Sequence, residues 1–117
     1  MVAVIEDDES YRLAVQRLLK SAGLSVQSFS SAEAFLDSGQ QHETACLITD
    51  IKMPGISGLE LQYKLSCDHC RIPTIFITAH GDGKMRLQAM RGGAVKFFVK
   101  PFDGEDLLEA VRVALNC

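Results

Sequence analysis

The chain has little that would place it in a membrane or on a polyanion. Its 117 residues hold no run of about 18 apolar residues, which excludes a membrane-spanning helix. Twelve Lys and Arg stand against fifteen Asp and Glu, a net charge of −3, so no overall basic field is available to hold nucleic acid. The first residues, Met1-Val2-Ala3-Val4-Ile5, run directly into acids and lack the charged-then-apolar layout of a signal peptide. The expectation is a cytoplasmic protein whose four cysteines stay reduced. Cys67-Asp68-His69-Cys70 has the spacing of half a zinc site, but no second Cys/His pair closes it, and it reads as a loop. Cys46 falls in a strand and Cys117 is the last residue. No linker, internal repeat or low-complexity segment breaks the chain. A charged fraction of 23% with 47% apolar residues suits one compact core, a single domain over residues 1–117.

Apolar runs and helical periods alternate from end to end. Val2 to Ile5 reads as a short buried strand. Tyr11, Ala14, Val15, Leu18, Leu19 and Ala22 then recur at helical spacing until Gly23. Leu24 to Phe29 is a weaker strand, and Ser30 with Glu33 has the spacing of a capping box that opens a short helix. Ala45 to Thr49 is a third strand, and Ser57 with Glu60 forms a second box before the helix of Leu61 and Leu65. Pro73 to Thr78 is a fourth strand, followed by a helix from about Lys84 to Arg91 that Gly92-Gly93 ends. Val95 to Val99 is the fifth strand. Asp103 caps a last helix whose Leu107, Ala110, Val111 and Ala114 share a face. Short strands that are apolar on both faces, alternating with helices, predict an α/β fold with a central parallel sheet covered on both sides.

Such a sheet binds ligands outside the carboxyl ends of its strands. At those ends stand Glu6-Asp7-Asp8, Asp50, Thr78-Ala79 and Lys100-Pro101. A buried carboxylate costs on the order of several kcal/mol unless paired, so a strand ending on Asp50 needs compensation. Clustered carboxylates repel one another and suit a hard divalent cation, Mg²⁺ in particular. Lys100 brings an ammonium and Thr78 a hydroxyl. Acid, metal, lysine and hydroxyl are the parts that stabilise a transferring phosphoryl group, with Asp50 as the nucleophile. Taken singly these residues have plainer readings. A lone strand-end Asp is usually a loop acid, a lone Lys a solvated one, Phe97 core, and His80 a rim residue; Gly81-Asp82-Gly83 is a turn leading into a helix, without phosphate-loop spacing. Their joint placement at four strand ends favours the site.

Four motifs in order, "EDDE", "TDIKMPGISG", "ITAHGD" and "FFVKPF", resemble those of the receiver (response-regulator) domain of two-component signalling. "SAEAFL", "TAHGD" and "AMRGGAVKFFVKPF" resemble its FixJ-like branch. The resemblance covers essentially the whole chain and implies a (βα)5 flavodoxin-like fold with strand order 2-1-3-4-5. It implies Asp50 as phosphoacceptor, with Asp7 ligating Mg²⁺ directly, Glu6 through water and Lys52 through its backbone carbonyl. Thr78 and Lys100 would bind phosphoryl oxygens, the Lys100-Pro101 bond would be cis, and the switch residues would be Thr78 and Phe97, the latter at the aromatic switch position. Glu6 stands where Asp is commoner in the family, and Lys96 replaces an acid common in the branch. Asp8 is a third acid, and the Glu6–Asp7 register is the one that keeps Arg12 aligned with the family pattern.

The implied function is a phosphorylation-controlled switch fed by a sensor histidine kinase. It catalyses only its own phosphorylation and dephosphorylation, and it forms a homodimer when phosphorylated. FixJ-like relatives continue into a DNA-binding domain, so contact with DNA would come through a segment outside this chain. The alternatives are a receiver-like interaction module that is not phosphorylated, or an aspartyl-phosphate phosphatase. The phosphatase would need a second acid two residues after Asp50, where Lys52 stands; a flavin binder would need a phosphate loop where the first acids stand. Residues 84–100 carry Lys84, Arg86, Arg91, Lys96 and Lys100 without an acid, and residues 102–110 carry Asp103, Glu105, Asp106 and Glu109 without a base. A two-fold dimer could pair these blocks.

Overall fold

The structure, a computed structural model, describes residues 1–79 and 83–116. Strand β1 (Val2–Ile5) is followed by α1 (Glu9–Ser21), β2 (Val26–Phe29), α2 (Ala32–Asp37) and β3 (Cys46–Asp50). Then come α3 (Gly58–Cys67), β4 (Thr74–Thr78), α4 (Gly83–Arg91), β5 (Lys96–Val99) and α5 (Gly104–Leu115). The five strands form one parallel sheet in the order β2-β1-β3-β4-β5, the predicted topology. Successive parallel strands need crossovers, and the helices between them supply these.

The period of two along each strand divides the core. Val2, Val4, Cys46, Ile48, Ile75 and Ile77 point to the face covered by Val15 and Leu19 of α1 and by Leu107, Leu108, Ala110, Val111 and Ala114 of α5. Ala3, Ile5 and Leu47 point the other way, against Ala32 and Phe35 of α2 and Leu61 and Leu65 of α3. Ala89 of α4 packs with Ile51, Phe76, Ala94 and Phe97 in a third cluster on β4 and β5. Burying one large apolar side chain fully is worth roughly 1.5–3 kcal/mol. β1, β3 and β4 are buried throughout, whereas the edge strands β2 and β5 are only partly so. Cys46 is buried in β3, and burial pushes its thiol up to about 12, which leaves it an inert core residue.

Two local expectations need correction. The cap of α2 is Ser31, whose hydroxyl accepts from Ala34 N at 3.0 Å, and not Ser30. The helix is set one residue later because Ala32 and Phe35 must face β1, which removes Glu33 from the box position. Its carboxylate turns instead toward the loop after β3 and accepts from Ile56 N at 3.4 Å. The third strand also runs one residue further than its apolar run and includes Asp50, whose ladder partner is Ile77. The Ser57–Glu60 box and the Asp103 cap form as predicted. Gln41–Glu43 adds a 3₁₀ turn that no sequence pattern announced. The readings made for His80, Gly81, Asp82 and Cys117 lie outside the described residues.

Candidate functional site

All five strands run the same way, so their carboxyl ends share one rim. Glu6 follows β1 directly, and its N–H donates to Phe29 O at 3.1 Å, which holds the residue in line with the sheet. Its side chain is wholly buried, whereas Asp7 is exposed. Asp8 is turned away to the helix, where its Oδ1 caps α1 by accepting from Tyr11 N at 3.1 Å. One carboxylate oxygen each from Glu6, Asp7 and Asp50 lies within 4.8 Å of the others. Asp50 is nearly buried, and its Oδ1 accepts from Ile51 N at 2.6 Å.

Lys100 crosses from the end of β5 to meet these acids. Its Nζ donates to Asp50 Oδ2 at 3.1 Å and, more closely, to Glu6 Oε1. Its own N–H donates to Thr78 O at 2.7 Å, which ties it to the end of β4. Thr78 is fully buried, and the Lys100–Pro101 bond is cis. Burial pushes the Glu6 carboxyl up to about 7; the hydrogen bond from Lys100 opposes that rise and the charge of Asp50 adds to it. Burial also works against the charged form of Lys100, but its bonds to Glu6 and Asp50 outweigh this and raise its affinity for the proton. One ammonium cannot neutralise three converging carboxylates. The donor set is oxygen only, which suits a hard divalent cation such as Mg²⁺. Lys52 lies two residues past Asp50 in the exposed loop.

A family model for the response regulator receiver domain matches residues 2–112. This chain belongs to that family. The receiver domain is 46% identical to nodulation protein W of Bradyrhizobium diazoefficiens over 97% of its length, covering 50% of that protein. It is 44% identical to the transcriptional regulatory protein FixJ of Azorhizobium caulinodans over 98% of its length, covering 54% of that protein. The solved structure of FixJ-N superposes on 98% of the chain with a TM-score of 0.88 and 38% identity, and 92% of that structure is covered. The chain therefore spans about half the length of the curated relatives it matches. These likenesses place it in the FixJ-like branch.

Sequence reasoning brought Glu6, Asp7, Asp50, Thr78 and Lys100 to one rim, and the receiver domain has them there. Phe97 sits apart from the acids, buried between Phe76 and α4. Several residues shape the site in ways that their sequence positions did not specify. Arg12 Nη1 donates to Glu6 O at 2.9 Å and fixes the backbone that presents the acids. Gly58 has to be glycine: a Cβ there would stand 2.2 Å from Asp50 O, while its N–H donates to Ile51 O at 2.8 Å. Tyr11 places its ring under the Lys100 ammonium, 4.2 Å from Nζ to the centroid. The Tyr11–Lys100 contact joins residues remote in sequence, whereas those of Arg12 and Gly58 depend on how the loops after β1 and β3 turn back on themselves.

Proposed function

We propose that this receiver domain is phosphorylated on Asp50 by a sensor histidine kinase, in the cytoplasm, and that the modification controls a dimerisation surface. The observation that carries the reading is the placement of Lys100 Nζ 3.1 Å from Asp50 Oδ2 beside the oxygens of Glu6 and Asp7. A carboxylate oxygen of Asp50 attacks phosphorus in line; the bond to the donor's histidine nitrogen breaks, and that nitrogen keeps the electron pair. Lys100 then holds a phosphoryl oxygen, and the Thr78 hydroxyl donates to another. Glu6, Asp7 and Asp50, with the Lys52 carbonyl, are the residues that would hold Mg²⁺. When bound, that ion would offset the negative charge gathered at the site.

Phosphorylation adds about two negative charges. Thr78 is drawn toward the new oxygens, and Phe97 repacks into the space that this frees. Phe97 already contacts the cluster that joins Phe76 to Ala89 of α4, so its rearrangement reaches the outer edge of the sheet. This biases two pre-existing packings rather than making a new fold. The output is transcriptional, through a DNA-binding segment that the longer relatives have room for.

Intact-mass measurement after incubation with acetyl phosphate tests the chemistry. One phosphoryl group is gained with Mg²⁺, none with EDTA, and none in Asp50→Asn. Labelling of Asp50→Asn equal to that of the wild type overturns the assignment.

A further inference from the structure

Lys100 carries a long, flexible cationic side chain, yet its ammonium must stay aimed at one carboxylate. Two of its contacts, Glu6 and Asp50, belong to the acid cluster. A cation held by these carboxylates would draw on the same negative charge, so their hold on the lysine would weaken as they bind it. The third contact is of another kind. Tyr11, in the first turn of α1, presents its ring face to Nζ at 4.2 Å, well inside the range of a cation–π attraction. The ring is uncharged and is no ligand of a hard cation, so its hold on the ammonium does not depend on what the acids bind.

The ring is itself held. Tyr11 packs on Phe102 with centroids 6.0 Å apart and planes at 59°, and Phe102 packs on Phe98 at 5.4 Å and 34°. Phe98 and Phe102 flank Lys100 at two residues on either side. One aromatic row therefore fixes both the backbone around Lys100 and the space its head occupies. We propose that Tyr11 is a positioning residue for Lys100, keeping its ammonium directed at the phosphoryl site whether or not the acids hold a metal. The effect on rate rests on the phosphoacceptor reading of Asp50; the geometry does not. A merely structural Tyr11 would serve the core by packing on Phe102 alone.

Three measurements separate the two roles. By NMR of the metal-free protein, the Lys100 ε-methylene protons are displaced upfield by the ring current; Tyr11→Phe keeps that displacement and Tyr11→Leu loses it. With acetyl phosphate and Mg²⁺, Tyr11→Leu gains the phosphoryl group roughly tenfold more slowly, and Tyr11→Phe stays within about twofold of wild type. In a Lys100→Ala background, Tyr11→Leu slows the reaction no further, and Mg²⁺ affinity is unchanged by Tyr11→Leu. Absence of the ring-current displacement in the wild type overturns the proposal, as do equal rates for the Leu and Phe variants or additivity with Lys100→Ala. If the wild type gains no mass at all, the phosphoacceptor reading fails, and the ring-current measurement still decides the position of Lys100.

Discussion

The carboxyl rim of the sheet and its α4–β5–α5 edge treat charge in opposite ways. At the rim, Glu6 and Asp50 are buried and meet Lys100 at hydrogen-bonding distance. Along the edge, Lys84, Arg86, Arg91 and Lys96 on one side and Asp103, Glu105, Asp106 and Glu109 on the other are exposed. No ion pair joins the two blocks among the described residues. A groove of about 490 Å³ between β5 and α5, lined by Lys96, Asp106 and Glu109 among others, runs between them. The rim keeps too much of one sign in a small space and so asks for a small cation. The edge sorts both signs apart on open surface, and the proposed dimer would pair them across a two-fold axis.

The largest effect that separates the two regions is expected from Asp7→Ala. Mg²⁺ affinity should fall on the order of a hundredfold, at the upper end of what loss of a residue that only supports a metal ligand causes. Because Asp7 is exposed and contributes repulsion rather than packing, the fold should persist, with apo stability equal or slightly raised. Titration with Mg²⁺ followed by urea unfolding checks both. An Asp7→Ala protein that binds Mg²⁺ like wild type would move the acidic pair to Asp7's neighbours and make Asp8 the residue to test.

An effect of similar size comes from pH. The Glu6 carboxyl goes from its ordinary 4.5 to about 7 on folding, so the folded state binds the proton more tightly. The contribution is therefore fully present below pH 4.5 and is lost as pH rises toward 7, up to about 3 kcal/mol. Lys100, whose affinity for its proton is raised, contributes evenly across that window because it stays charged. Urea midpoints of the metal-free protein should fall as pH rises from about 5 to about 8, and those of Glu6→Gln should fall less. Saturating Mg²⁺ should flatten the wild-type slope. A slope identical in Glu6→Gln would show that other groups set it.

The smallest effect lies on the edge. Arg91→Glu or Lys96→Glu should weaken a salt-sensitive dimer of the beryllofluoride-bound protein by about 1 kcal/mol per pairing, and leave acetyl phosphate labelling unchanged. Sedimentation at low and high salt reads this. A monomer at high protein concentration and low salt would make the edge ordinary surface.

What was legible in the sequence follows the same division. The central strands β1, β3 and β4 and, less cleanly, β5 were readable because each is an apolar run stopped by a polar residue, and the parallel fold then places the stops on one rim. Asp50, Thr78 and Lys100 were found in this way. Tyr11 and Glu33 were not, because their roles depend on how separate crossovers lie against one another, and Gly58 was not, because its role depends on how the β3–α3 loop folds back on the end of β3. Glu33 shows how a local pattern misleads. It fits a capping box at Ser30, yet burial of Ala32 and Phe35 shifts the helix by one residue and sends the carboxylate across to Ile56. The Ser31 hydroxyl supplies the cap in place of Ser30, so a contribution of about 1 kcal/mol is kept and only the Glu33 half of the box is given up.

The ion pair between Lys100 and Glu6 spans 94 residues. A chain leaving the ribosome therefore displays Glu6 and Asp50 long before their lysine exists. The two acids lie at the ends of β1 and β3, and the lysine that offsets their repulsion comes only with β5, so the charge balance of the rim is complete only when the last strand has joined the sheet.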